Sequence, residues 1–208
     1  MNGRNYQKEL EQLLQSFCGE KKKLLLHCCC APCSSYVLEY LHAFFDITVF
    51  FYNPNITQEE EYEKRKRELL RYLREVSYGG EIHVQKADYE PQRFLDAAKG
   101  HEKDAERGVR CERCFRLRLE ETARRAREGL FDYFCTTLSI SPHKDAALLM
   151  QLGEALAEKY GVSYLPSDFK KKNGYKRSIA LSKEHGLYRQ DYCGCIYSAA
   201  AREREKET

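Results

Sequence analysis

The chain of 208 residues is 42% apolar and 12% aromatic, with 35 basic and 32 acidic side chains and a net charge of +3. That composition is too apolar for disorder and too evenly charged to bind nucleic acid over the whole surface, so any basic face is local. The first stretch is polar, carrying Arg4, Lys8, Glu9 and Glu11, and no apolar run approaches the roughly 20 residues that span a bilayer, so ten cysteines in a cytoplasmic protein point to metal or redox chemistry instead of disulfides.

Tyr6, Leu10, Leu13, Leu14 and Phe17 give a short helical pattern ending at Gly19, with Cys18 read as structural. The apolar run at 23–26 is a buried strand that leads into His27-Cys28-Cys29-Cys30-Ala31-Pro32-Cys33, and Val37, Leu38, Leu41 and Phe45 then recur at helical spacing over 34–45. The cysteines thus fall at a strand's carboxyl end, where open α/β sheets place their chemistry. Pro32 suits the first turn of a helix, which sets Cys33 among unpaired backbone N–H groups whose field favours the thiolate. Residues 47–52 are a second strand, stopping at the polar Asn53-Pro54-Asn55.

A helix follows over about 58–76, with Leu69, Leu70, Leu73 and Val76 inward and the pairs Glu60-Lys64, Glu61-Arg65 and Glu63-Arg67 forming a solvated face. Gly79-Gly80 breaks it, and 81–85 alternates as a third strand in which His83 is an ordinary strand residue. Residues 91–98 are a short helix, and a charged loop over 100–110 delivers Cys111 and Cys114. The helix at 115–127 interleaves its apolar stripe with Arg116, Arg118, Arg124, Arg125 and Arg127; with Arg113 just before it, this is the densest basic surface in the chain. A fourth strand at 132–138 runs into a hydroxyl-rich turn, Ser139-Ile140-Ser141-Pro142-His143-Lys144, and a helix over about 145–160, a seat for phosphate or a simple capping turn. A fifth strand at 161–165, a basic loop at 168–174, a cysteine-bearing segment at 178–198 and a charged tail complete the order. The expected fold is α/β, a Rossmann-like parallel sheet with helices on both faces. It is read as a single domain, 1–208, in which about 90–128 and 178–208 form a helical cap carrying cysteine ligands over the sheet's carboxyl edge.

With Cys18 and Cys135 set aside as structural, three groups remain: Cys28/29/30/33, Cys111-x-x-Cys114 and Cys193-Gly194-Cys195. The two close pairs supply four thiolates, which suits a tetrahedral zinc or a cubane iron–sulfur cluster. Zinc ribbons draw their pairs from within roughly 15 to 20 residues, and here a whole βα segment intervenes. Gly194 lets the chain turn sharply enough for its neighbours to converge. Cys29, Cys30 and Cys33 are then left for a second metal or a redox group with a position open to substrate; Cys28 is left out of the site.

The motifs His27 to Cys33, Phe51-Tyr52-Asn53-Pro54-Asn55-Ile56, 108–115, 136–144, Asp168-Phe169-Lys170-Lys171 and 188–195 together resemble the cobalamin-independent epoxyqueuosine reductases, the QueH family, over about residues 23–198. The resemblance implies reduction of tRNA-bound epoxyqueuosine to queuosine at the anticodon wobble position. It also implies a 4Fe–4S cluster on Cys111, Cys114, Cys193 and Cys195, and an adjacent mononuclear iron at Cys29, Cys30 and Cys33. Converting an epoxide to an alkene consumes two electrons and two protons, so an open iron that binds the epoxide oxygen as a Lewis acid and a cluster that relays single electrons from an external donor are both useful. Asp191, Tyr192, His143 or water are the candidate proton sources, Asp191 being included in the catalytic set. Substrate contacts are expected from Tyr52, Asn53, Asn55, Thr136, Thr137, Ser141, His143, Lys144, Lys170 and Arg189, with phosphates on the arginine-rich helix and Lys170 to Lys172, and base stacking on Tyr52, Phe169 or Tyr188.

Three other classes compete. A cluster-dependent tRNA sulfur-transfer enzyme with an ATP-binding sheet calls for a Gly/Ser-rich phosphate loop where this chain has Cys-Cys-Cys-Ala-Pro-Cys. A non-enzymatic zinc protein that binds RNA would contain zinc and no sulfide. A thiol oxidoreductase lacks its thioredoxin-like surroundings here.

Overall fold

Leu24, Leu25 and Leu26 are all fully buried, as an unbroken apolar strand must be when helices cover both faces of its sheet. In the computed structural model, which describes residues 4–207, these leucines lie in β1 (Lys22–His27), flanked by β2 (Phe45–Phe50) and β4 (Tyr133–Thr136). The outermost residues of the expected span 1–208 lie outside the described residues. With β3 (His83–Gln85) beyond β2 and β5 (Ser163–Tyr164) beyond β4, the order is β3-β2-β1-β4-β5 and every pairing is parallel. The order reverses between β1 and β4, so the crevice beyond their carboxyl ends is the ligand position of such sheets.

One face, with Leu24, Leu26, Ile47 and Val49, carries α1 (Tyr6–Ser16), α2 (Ala31–Leu41) and α3 (Glu59–Glu75); the other, with Leu25, Phe50 and Phe134, carries α5 (Val109–Glu128) and α6 (Ala146–Tyr160). Helices α4 (Pro91–Ala98), α7 (Gly174–Glu184) and α8 (Ile196–Glu207) complete the set. Among the described residues no helix is long and apolar enough to cross a membrane.

Several boundaries differ from expectation for identifiable reasons. Helix α2 ends at Leu41, and Phe45 opens β2, its ring packed edge-on against Phe17. Helix α5 begins at Val109, so Cys111 and Cys114 lie in its first turns and not on a loop. Its Leu119, Ala123 and Ala126 pack on Leu25 and Phe134, so the later turns of α5 are a layer of the sheet, while Cys114 in its first turns joins Phe94, Ala98, Cys195 and Tyr197 in a separate cluster. Helix α7, which spans the end of the expected basic loop and the start of the segment at 178–198, is packed close to α2: a Cβ on Gly174 would stand 2.4 Å from the Tyr36 ring.

Candidate metal centres

The first thiol set sits where β1 passes into α2. Cys30 is the N-cap in extended conformation, Pro32 occupies the first turn, and the ligand atoms of Cys29, Cys30 and Cys33 lie within 4.8 Å of one another. Cys29 Sγ is 3.9 Å from Cys30 Sγ and 3.6 Å from Thr137 Oγ1, and the Cys29 amide donates to that same hydroxyl at 3.4 Å. Hydrogen bonds from Cys29 and Cys33 pull the Cys30 thiol well below its ordinary range, and the donors are pushed up in turn, Cys29 to about 11. Three thiols this close are a donor set of the kind that binds a cation through deprotonated sulfur. Cys28 is fully buried, its thiol pushed up by desolvation, which is core behaviour.

The second set joins α5 to the turn before α8. Cys111, Cys114, Cys193 and Cys195 line one small cavity with Asn55, Arg110 and Ser198. Three of the thiols receive hydrogen bonds: Cys111 from the Arg107 amide at 3.3 Å, Cys195 from the Ser198 amide at 3.4 Å, and Cys193 from Lys144 Nζ at 3.5 Å. Burial pushes Cys114 up to about 12 and raises Cys195 as well. Among the described residues the Cys29/Cys30/Cys33 group is the one set of three or more His, Cys, Asp or Glu ligand atoms within 4.8 Å of each other, so these four thiols are spread more widely.

The turn through Cys193 is held from β2 and α3. Gly194 has φ +114°, and a Cβ there would meet Ile56 Cγ1 at 2.9 Å and Arg65 Nη1 at 3.2 Å. Asn55 Nδ2 and Arg65 Nη1 both donate to the Cys193 carbonyl, at 3.4 and 3.1 Å. Arg65 is 2% exposed and paired with Glu61 at 2.6 Å, so this pair is not the solvated face expected from its i,i+4 spacing.

A cavity of about 400 Å³ opens beside both sets, lined by Cys29, Cys33, Arg65, Arg118, Ser141, His143, Lys144, Tyr175, Arg189, Asp191, Tyr192 and Cys193. Of the expected substrate contacts, Ser141, His143, Lys144 and Arg189 lie in its wall. Others lie beneath it and serve the frame. Thr136 accepts from Leu138 N at 3.2 Å and meets His27 Nδ1 at 2.8 Å, Asn53 donates to the Cys28 carbonyl at 2.8 Å, Asn55 holds Cys193, and Thr137 holds Cys29. Lys170 reaches the carbonyls of Ser139 and Lys144 and the Asp168 carboxylate, clasping the turn.

Several expectations are corrected. Tyr52 and Phe169 are 1% and 0% exposed, so neither ring offers a face to a base, and the Tyr188 ring is covered by Lys64 Nζ at 3.6 Å. The Asp191 carboxylate faces Lys206 at 3.0 Å, which holds it below its ordinary range, so it stores no proton near neutrality. The basic face of α5 is largely neutralised: Arg124 and Arg125 pair with Glu121, and Arg118 is buried. Sequence reasoning missed Arg65 and Arg110 as site residues and read Arg118 as a phosphate contact on an exposed face. Of these, Arg118 alone carried a readable signal, since Cys111, Cys114 and Arg118 recur at i, i+3 and i+7 on one helix face.

Residues 24–201 match the family model described as "Epoxyqueuosine reductase QueH". A protein of that name from Streptococcus pyogenes serotype M1 is 42% identical over 199 residues, covering 94% of this chain and 78% of the relative. One from Staphylococcus epidermidis is 41% identical over 201 residues, covering 94% and 84%. One from Thermotoga maritima is 38% identical over 186 residues, covering 88% and 93%.

Proposed function

Because the chain belongs to the epoxyqueuosine reductase QueH family, we propose that it is a cytoplasmic oxidoreductase that removes the epoxide oxygen of epoxyqueuosine in the anticodon loop of tRNA, leaving queuosine. The observation that carries the reading is the gathering of seven cysteines from three parts of the chain around the switch-point crevice, in two sets of different spacing.

The first set fits a single iron. Thiolates on one ion with bonds of about 2.3 Å stand roughly 4 Å apart, close to the spacing here, and Cys29, Cys30 and Cys33 would hold it beside the cavity that Cys29 and Cys33 line. The second set fits a larger body, a 4Fe–4S cluster, because its four thiols surround a cavity and are more widely spread. Two buried donors beside that set, Arg110 Nε and Arg118 Nη2, have no partner among the described residues, which suits an anionic occupant. When bound, the iron supplies a Lewis acid for the epoxide oxygen and the cluster supplies electrons singly from an external donor.

The chain's own residues do the remainder. Thr137 fixes Cys29, and Lys144 and Arg65 line the wall with positive charge where negative charge collects. Burial raises the Tyr192 hydroxyl above its ordinary range, so it stands in the wall as an O–H donor, with His143 beside the same cavity. Beyond Lys144 a groove of about 930 Å³ carries Arg4, Lys8 and Lys171, with Lys172 paired to Glu11 at its edge, which suits tRNA phosphates, so tRNA binding weakens steeply with salt.

The test is anaerobic purification, reconstitution with iron and sulfide, and incubation with a reductant and tRNA bearing epoxyqueuosine. Nucleoside mass is expected to fall by one oxygen. Unchanged nucleoside with an intact cluster overturns the activity, and gain of sulfur assigns the chain to sulfur transfer.

A further inference from the structure

Arg118 is the largest fully buried side chain among the described residues, 1% exposed, and lies one turn after Cys114 on α5. A buried guanidinium normally has a carboxylate beside it, as Arg65 has Glu61. Arg118 has none within ion-pair reach among the described residues. Its Nε donates to the Cys114 carbonyl at 3.2 Å, its guanidinium lies 5.5 Å from the centre of the Phe115 ring, and its Nη2 has no partner. The ionisable groups around it are thiols, the His27 ring and the Lys144 ammonium, with no carboxylate to balance it. Sulfur from Cys114, Cys193 and Cys29 stands around the guanidinium. These three thiols belong to both sets, and Arg118 shares the cavity wall with two of them, Cys29 and Cys193.

We propose that Arg118 is a positioning residue that acts as the common counter-ion of the two thiol sets, stabilising their thiolates and raising the reduction potential of the cluster held by the second. The inference rests on the metal assignment proposed above. Its physical basis is that an unpaired buried cation has a large desolvation cost, which anionic thiolates offset. Reduction adds negative charge to a cluster, and a fixed cation nearby favours the reduced state more than the oxidised one. Lysine retains the charge without the planar fork; methionine and glutamine remove it.

Wild-type protein and the Arg118→Lys, Arg118→Met and Arg118→Gln variants are reconstituted, assayed for iron and sulfide, and titrated redox-potentiometrically with spectroscopic detection of the cluster. Loss of the charge is expected to shift the one-electron equilibrium at least tenfold toward the oxidised form, a fall of about 59 mV, with Arg118→Lys recovering most of it. If both neutral variants fail to assemble a cluster and Arg118→Lys succeeds, the charge requirement is upheld. Equal potentials in all four proteins, or failure of Arg118→Lys along with the neutral variants, overturn the counter-ion role while a loaded wild type leaves the metal assignment standing. A wild type that takes up no iron and sulfide removes the metal assignment and this inference together.

Discussion

The two thiol sets are built from one residue type in opposite ways. Cys29, Cys30 and Cys33 belong to a single strand-to-helix junction, so a local backbone path brings them within 4.8 Å of one another, with Cys29 and Cys33 in the cavity wall and Cys30 buried behind them. Cys111 and Cys114 must meet Cys193 and Cys195 across a large sequence separation, and that meeting depends on Arg65, Asn55 and the left-handed Gly194. Local construction gives a tight group; long-range construction gives a wider one whose shape is set by its supports.

The largest effect expected from this contrast is on turnover. Cys30→Ser removes a ligand from the local set and should lower nucleoside conversion by more than roughly a hundredfold, while the absorption of the cluster on the distant set persists. Full conversion by this variant would break the contrast. Arg65→Met removes the buried guanidinium that holds the Cys193 carbonyl, while the part-buried Glu61 keeps the Tyr188 hydroxyl, and should destabilise the protein by about 1–3 kcal/mol in denaturant unfolding, with loss of sulfide from the distant set. Unaltered sulfide content would make Arg65 irrelevant to that set.

The local set stands on His27, which burial, ahead of the charge of Arg118, lowers from 6.5 to about 4. The neutral ring therefore contributes fully to stability above pH 6.5, and that contribution, about 3 kcal/mol, is lost as pH falls toward 4. Thermal unfolding against pH should show this acid limb, and His27→Asn should flatten it; an identical limb in the variant would assign it elsewhere. Gly194→Ala should have the smallest effect, about 1–3 kcal/mol, since it forces a Cβ into a left-handed turn beside Ile56 and Arg65. A loss of iron at the distant set alone would sharpen the comparison, and loss at both would blur it.

The same contrast explains what could be read from the sequence. The parallel α/β sheet followed from apolar runs such as 23–26, and the local cysteines from their adjacency after such a run. Arg65 looked like one half of a surface pair because i,i+4 spacing says nothing of what lies over that helix face; in the fold the Cys193 turn covers it. Tyr52 looked like a stacking platform because aromatic residues at a strand end serve either purpose, and only the positions of Glu90 and Phe50 decide that it is frame. Helix α7 had no clear apolar period, being set by close packing at Gly174 against α2.

The central claim is that the two sets hold separate inorganic centres. Iron and acid-labile sulfide, counted in anaerobically reconstituted wild type and Cys30→Ser, test it most directly. The account predicts iron in excess of sulfide in the wild type and parity in the variant, the sulfide unchanged. Parity in both, or loss of sulfide together with iron in Cys30→Ser, would contradict it.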